Sequence, residues 1–200
     1  IQVQAQAYPA PLQERLPIWI TSSGNAGTWL RAAEIGANVL TALLQQSIEE
    51  LEAKVAAYRA ARAQHGLDPE EGIVTLMLHT FVWNDPALVY QKVREPLLTY
   101  MQNHMDIYQQ IAHTTGESPA IEQLTSEDRL ALADFAFQKY FHHNGLFGTP
   151  ESCQTMLSRL QSVGVNEVAC LMDFGIDTDT LLESLQYLNQ LRESHQGSSK

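Results

Sequence analysis

The chain has 200 residues, of which 44% are hydrophobic and 18% charged. That is enough apolar material for one sizeable core and too much for a disordered chain. Lys plus Arg number 12 against 23 for Asp plus Glu, a formal charge of −11, and no Lys/Arg cluster stands out. An electrostatic footprint for nucleic acid or for an anionic membrane surface is therefore missing. No apolar run reaches membrane-spanning length, and the start has neither a positive n-region nor an h-region, so a cytoplasmic protein is expected. The two cysteines, Cys153 and Cys170, make neither a disulfide scaffold nor a metal site. They read as buried or half-buried thiols in a reducing compartment.

In chain order, Ile1 to Leu16 is an extended, Pro-rich lead-in. Leu16-Pro17-Ile18-Trp19-Ile20-Thr21 is a short buried strand. Ser22-Ser23-Gly24-Asn25 is a turn that starts a helix through Ala33, closed by Gly36. Ala37 to Thr41 is a second strand. Ser47 with Glu50 is a capping box that opens a helix with Leu51, Val55 and Tyr58 on one stripe. Gly72 to Val82 is the strongest strand, apolar at nearly every position, as for a strand covered on both faces. Asp85-Pro86 starts a long helical region to about Ala112, with an interruption expected at Pro96. Thr114 to Gln123 is a polar loop, and a helix follows from Thr125 to about His142. Asn144 to Glu151 reads as a loop leading into a helix that Gly164 ends. Glu167 to Asp173 is the last strand. A final helix, Asp177 to Arg192, is expected to turn Leu181, Leu182, Leu185, Leu188 and Leu191 inward, with 197–200 a disordered tail.

Strands alternating with helices imply a parallel sheet with right-handed crossovers. Neither a dinucleotide fingerprint nor a P-loop follows any strand. Four parallel strands with a long helical insertion at about 85–144, before the last βα unit, fit half of a (β/α)8 TIM barrel. An open half-barrel would leave Ile18, Ile20, Val39, Leu76, Leu78 or their neighbours without packing partners on its inner side.

Three places can carry chemistry. Thr21 to Thr28 lies at a strand's C-terminal end and a helix N-terminus, where backbone N–H groups and the helix dipole favour an anion. Small residues there admit a phosphate, and Ser22, Ser23 and Thr28 add hydroxyls. A capped helix start that binds nothing has the same composition. His79 follows a run of apolar residues at the end of the strongest strand, the catalytic face of such a barrel; a hydrogen-bonded core histidine is the alternative. Asp173 ends the last strand and would either contact substrate or cap the next segment. His142 and His143 have no carboxylate at metal spacing, so no metal site is expected.

Four stretches together resemble the luciferase-like monooxygenase family. They are Pro9-Ala10-Pro11-Leu12-Gln13 through Leu16-Pro17-Ile18-Trp19-Ile20-Thr21-Ser22-Ser23-Gly24-Asn25; Ala33 to Thr41; Tyr58-Arg59-Ala60-Ala61-Arg62 with Val74 to Thr80; and Leu146-Phe147-Gly148-Thr149-Pro150-Glu151 with Gly164-Val165. Leu76-Met77-Leu78-His79-Thr80 and Asp173-Phe174-Gly175 look most like the subgroup embedded in nonribosomal peptide and polyketide synthases. The resemblance implies that residues 1–196 are the C-terminal half of one luciferase-like barrel domain, the other half preceding them. It implies reduced FMN as cofactor and O2 as co-substrate for oxygenation. It places the flavin phosphate on Ser22, Ser23, Gly24, Asn25, Ala26 and Thr28, with His79 and Asp173 as catalytic-face residues. The implied partners are the missing N-terminal half-barrel, a carrier protein whose phosphopantetheine arm holds an acyl or aminoacyl substrate, and a flavin reductase, with a homo-oligomer as a further expectation. This chain alone is expected to be inactive. Two rivals are a flavin-binding or interaction module without turnover and another phosphate-binding barrel enzyme. The absence of lysine at the expected strand ends argues against a Schiff-base version of the latter.

Overall fold

The computed structural model describes residues 8, 12–13, 16–22, 24–43, 46–115 and 126–198, with the backbone alone for 104–115, 126–133, 136 and 198. Most of the lead-in and of the polar loop after Thr114, together with Ser23, lie outside the described residues. The order is β1 (Trp19–Thr21), α1 (Ala26–Glu34), β2 (Asn38–Ala42), α2 (Ile48–Gln64), β3 (Val74–Val82), α3 (Pro86–Thr115), α4 (Ser126–His143), β4 (Leu146–Gly148), α5 (Pro150–Ser162), β5 (Glu167–Leu171) and α6 (Thr178–Ser198).

All strand pairs are parallel. β1 pairs with β2 and β2 with the first half of β3. β5 pairs along Thr75–His79 of β3, and β4 takes the last three residues, Thr80–Val82. The result is a partial barrel sheet with β3 as its longest strand. Three expectations change. The segment expected to be a loop, Asn144 to Glu151, contains β4, so the described residues form five strands where four were expected. The helix α3 continues through Pro96; Pro96 has no N–H to give the Lys92 carbonyl, but the flanking turns are retained. The final helix also runs to Ser198, into the expected tail.

Period-two alternation along β3 sorts the side chains into two environments. Val74, Leu76, Leu78 and Val82 enter a core with Trp29, Ala32 and Ala33 of α1, Leu51, Val55 and Tyr58 of α2, and Leu160 and Leu191 of α5 and α6. Phe81 enters a second core with Val89, Val93 and Leu97 of α3, Phe137 and Tyr140 of α4, and Phe174 beyond β5. Val39, Leu76 and Leu78 are thus fully covered by helices and do not line the inner side as expected. The inner side carries their neighbours. There Trp19 of β1 donates its indole N–H to Thr75 Oγ1 at 2.9 Å, and Thr75 donates to Glu167 Oε2 of β5 at 2.8 Å.

The helix ends follow the sequence closely. Ser47 and Glu50 form a reciprocal capping box at α2, and Thr149 and Ser152 do so at α5, with Pro150 at the first helical position. Gly36, at φ 71°, lets the chain turn from α1 into β2 in a left-handed conformation that a Cβ would strain. The buried Tyr58 ties α2 to the same corner by donating its hydroxyl to the Ala37 carbonyl at 2.7 Å.

Candidate active site

Parallel strands deliver their C-terminal ends to one side of the sheet, and two features meet the solvent or the insertion there. The first is the β1–α1 turn. Ser22 is buried; its N–H donates to the Leu40 carbonyl at 3.0 Å, extending the β1–β2 ladder, and its hydroxyl donates to the Asn25 carbonyl at 3.1 Å. Asn25 is the N-cap of α1, and its side-chain oxygen accepts from the Gly27 N–H at 2.9 Å. Gly24, Asn25, Ala26 and Gly27 are exposed and Thr28 is half-buried. Small side chains thus leave the first turn of α1 open, while Ser22 and Asn25 hold its backbone in place.

The electrostatics single this turn out. The first turn of α1 has no acidic residue. Glu49 and Glu50 stand in the first turn of α2, Glu151 in that of α5 and Asp179 in that of α6. An Asp85 carboxylate oxygen accepts from the Ala87 N–H at the start of α3, and α4 opens with Ser126-Glu127-Asp128. Glu49 and Glu151 lie below the usual carboxylate range, held there first by backbone N–H groups at their helix starts. Among the described residues the starts of α2, α3, α5 and α6 therefore carry their own anion. The α1 start has only the neutral Asn25, so its dipole is uncompensated. The residues present fit a phosphate, which would meet backbone amides and the Thr28 hydroxyl without a competing carboxylate.

The second feature is His79, on β3 four residues beyond the level of Thr75, where Thr21, Leu40 and Thr75 lie in register. It is on the same face as Phe81, the face away from the α1 and α2 core. His79 is 4% exposed. Its Nδ1 lies 2.7 Å from the Tyr140 hydroxyl, and three rings meet it edge-on: Tyr100 of α3 at 4.6 Å, Tyr140 of α4 at 5.5 Å and Phe174 at 5.6 Å between centroids. Burial raises the Tyr140 phenol above its ordinary value, and the neighbouring Tyr100 adds to the shift, so this hydroxyl keeps its proton.

Asp173 is exposed, beside Phe174. The cap of the next helix is Asp177, whose carboxylate accepts from the Thr180 N–H at 2.9 Å. Asp173 and His79 are therefore brought to the same end of neighbouring strands, with Phe174 and not Asp173 packed against the imidazole. Tyr140 and Tyr100 are the residues that sequence reasoning missed. A run of aromatics in α4 (Phe135, Phe137, Tyr140, Phe141) was the available signal, but periodicity alone does not say which ring reaches a strand. A groove of 540 Å³ lies elsewhere, beside the outer face of β5, lined by Val168, Cys170, Leu188, Arg192 and His195 among others. His142 and His143 are exposed at the end of α4. Among the described residues no group of three His, Cys, Asp or Glu side chains could hold a metal ion, and no helix is long and apolar enough to cross a membrane.

Solved structures share this fold. Monooxygenase RslO1 from Streptomyces bottropensis superposes with a TM-score of 0.65 at 12% identity, over 94% of this chain and 51% of that one. The oxygenating constituent of 3,6-diketocamphane monooxygenase from Pseudomonas putida, a type II Baeyer–Villiger monooxygenase in complex with FMN, gives 0.61 at 16% identity, over 86% of this chain and 46% of that one. An F420-dependent secondary alcohol dehydrogenase in complex with an F420–acetone adduct gives 0.59 at 16% identity, over 91% of this chain and 50% of that one. The chain spans about half the length of these structures. No curated protein matches it in sequence. The model of the luciferase-like monooxygenase family matches residues 2–167, most of the chain, and the chain belongs to that family.

Proposed function

We propose that this chain is the C-terminal half of a flavin-dependent monooxygenase domain that binds FMN by its phosphate at the β1–α1 turn. The observation that carries the reading is the open, carboxylate-free start of α1 at the C-terminal end of the sheet. Family membership supports the reading, as does the FMN complex of the 3,6-diketocamphane monooxygenase constituent, which shares the fold. Bound there, reduced flavin would supply the electrons that activate O2.

The chain's own tasks follow from its residues. Backbone amides at the start of α1, with Thr28 and Ser23, hold and orient the phosphate, while Ser22, bonded to Leu40 and Asn25, keeps the turn in shape. The aromatic roof from α3 and α4 keeps water from the end of β3, where an electrostatic interaction is strongest. His79 holds or accepts a proton at its imidazole. Asp173, exposed beside it, contacts substrate. We assign the substrate to a carrier-tethered acyl or aminoacyl group. The likeness of Leu76 to Thr80 and Asp173 to Gly175 to synthase-embedded relatives supports this. So does the placement of α3 and α4 against β3 and β4, where they would shape an entrance for a long arm. A flavin reductase would supply the reduced cofactor, and a preceding half-barrel would complete the domain.

The test joins this chain to its preceding half and supplies reduced FMN, isotopically heavy O2 and carrier-bound candidates. Mass spectrometry of the carrier arm should show a product heavier by one labelled oxygen. FMN binding with no labelled product across acyl and aminoacyl carriers would favour a flavin-binding module without turnover. No FMN binding at all would favour a different phosphate-binding barrel.

A further inference from the structure

We infer that Tyr140 is a positioning residue for His79: its phenol donates to Nδ1 and fixes the imidazole in the tautomer that carries its proton on Nε2. The inference rests on the proposed role of His79 as the group that handles a proton, but the tautomer itself is measurable without turnover.

The argument starts from the hydrogen bond. A neutral imidazole has one N–H and one bare nitrogen, and the partner of one nitrogen decides which is which. The Tyr140 oxygen is 2.7 Å from Nδ1, a short contact for a group 4% exposed. The phenol keeps its proton at this depth, and among the described residues the imidazole is the one acceptor that the structure gives it, so it donates to Nδ1. The ring itself is held on three sides, by Tyr100, Tyr140 and Phe174, all edge-on. Rotation that would exchange the two nitrogens must displace one of these rings, at a cost typical of disturbing a packed aromatic cluster. The three holders come from three different places: α3, α4 and the segment after β5. Tyr140 itself is anchored from behind. Its helix neighbour Phe137 packs on Tyr90 of α3 with ring centroids 5.6 Å apart, and Gln138 donates to the Tyr90 hydroxyl at 2.9 Å.

The consequence is a second task for the α3–α4 insertion. It does not only cover the end of β3; it sets which imidazole nitrogen can give a proton and which cannot. A histidine in a mixture of tautomers presents the needed nitrogen only part of the time, and general acid–base work suffers accordingly.

The test is selective nitrogen-15 labelling of histidine and NMR of this chain joined to its preceding half-barrel. In the wild-type protein His79 should show the pattern of a protonated Nε2 and an accepting Nδ1. In Tyr140→Phe the pattern should move towards a tautomer mixture. The control Phe137→Leu loosens the same cluster without touching the hydrogen bond; it should lower thermal stability and leave the tautomer pattern in place. In the complete domain Tyr140→Phe should lower the rate of labelled product at least tenfold, with FMN affinity unchanged, and should add nothing when His79 is already alanine. A protonated Nδ1 in the wild-type chain overturns the inference even if every variant fails to fold, and so does an unchanged pattern in Tyr140→Phe. If the tautomer responds as expected while the wild-type domain makes no oxygenated product, the positioning stands and the monooxygenase reading is the one that fails.

Discussion

The Trp19 indole reaches over β2 to donate to Thr75 on β3, 2.9 Å away. Trp19 and Thr75 lie on strands separated by a third, so a flat sheet would hold their backbones about 10 Å apart. A large side chain bridges that span most easily on the concave face of a curved sheet. The bond therefore marks the inner side of the partial barrel, and Glu167 continues it on β5. Trp19→Phe keeps the ring and removes the donor. It should lower stability by about 0.5–1.5 kcal/mol, read as a shifted urea midpoint with an unchanged slope. No shift would mean that the indole is equally well solvated when free.

That face also shows how much of the fold was legible in the sequence. β3 was unmistakable, because a nine-residue run with apolar residues on both faces fits a covered strand. β4 was not, because Leu146–Gly148 is too short to show alternation and sits between Gly145 and Thr149-Pro150, which read as loop. The leucines of α6 misled for a different reason. Leu191 is buried, and Ser184, seven residues before it, is buried with it, whereas Leu182 and Leu185 are 59% and 43% exposed. At about 100° per residue Leu185 falls beside that stripe and Leu182 nearly opposite it. His79 was visible as a polar residue ending an apolar run. Tyr140 was not, since the pair is 61 residues apart and only tertiary packing joins it.

Tyr58 tests the corner between α1 and β2. Tyr58→Phe leaves the buried Ala37 carbonyl without its 2.7 Å donor. An unsatisfied buried acceptor costs about 1–3 kcal/mol, so the melting temperature should fall while the far-ultraviolet spectrum stays the same. Retained stability would show that another donor replaces the hydroxyl.

The buried Cys153 gives the chain an alkaline weakness. Burial pushes its thiol up to about 12, against about 8.5 for an unfolded cysteine. The folded form then keeps a proton that the unfolded form has lost. Stability from this group is complete below about pH 8.5 and falls as the pH rises towards the folded value. Tyr140, also raised by burial, acts in the same direction at still higher pH. A pH series of thermal melts should show the loss, and Cys153→Ser or Cys153→Ala should flatten it. At pH near 8, iodoacetamide should modify the exposed Cys170 first and Cys153 only on unfolding. Early modification of Cys153 would refute the burial argument.

Among the described residues β1 pairs only with β2 and β5 only with β3. Each leaves one edge of unpaired backbone groups, and Leu16, Ile18 and Trp19 beside β1 are 74%, 52% and 39% exposed. Such edges promote association. The chain alone should bind ANS and sediment as a mixture or a homodimer, and addition of the preceding half-barrel should suppress both. A rigid monodisperse monomer of 22.4 kDa without ANS binding would contradict the half-barrel account.

The claim that the β1–α1 turn holds the flavin phosphate is tested most directly by comparing two ligands on two proteins. FMN and riboflavin differ only by the phosphate. Thr28→Asp places a carboxylate in a helix start that lacks its own. Fluorescence titration of the complete domain should show FMN binding weakened at least tenfold in Thr28→Asp, a change of about 1.4 kcal/mol, with riboflavin binding unchanged and Thr28→Ser close to wild type for both. Equal FMN affinity in wild type and Thr28→Asp, or an equal loss for FMN and riboflavin, would contradict the assignment.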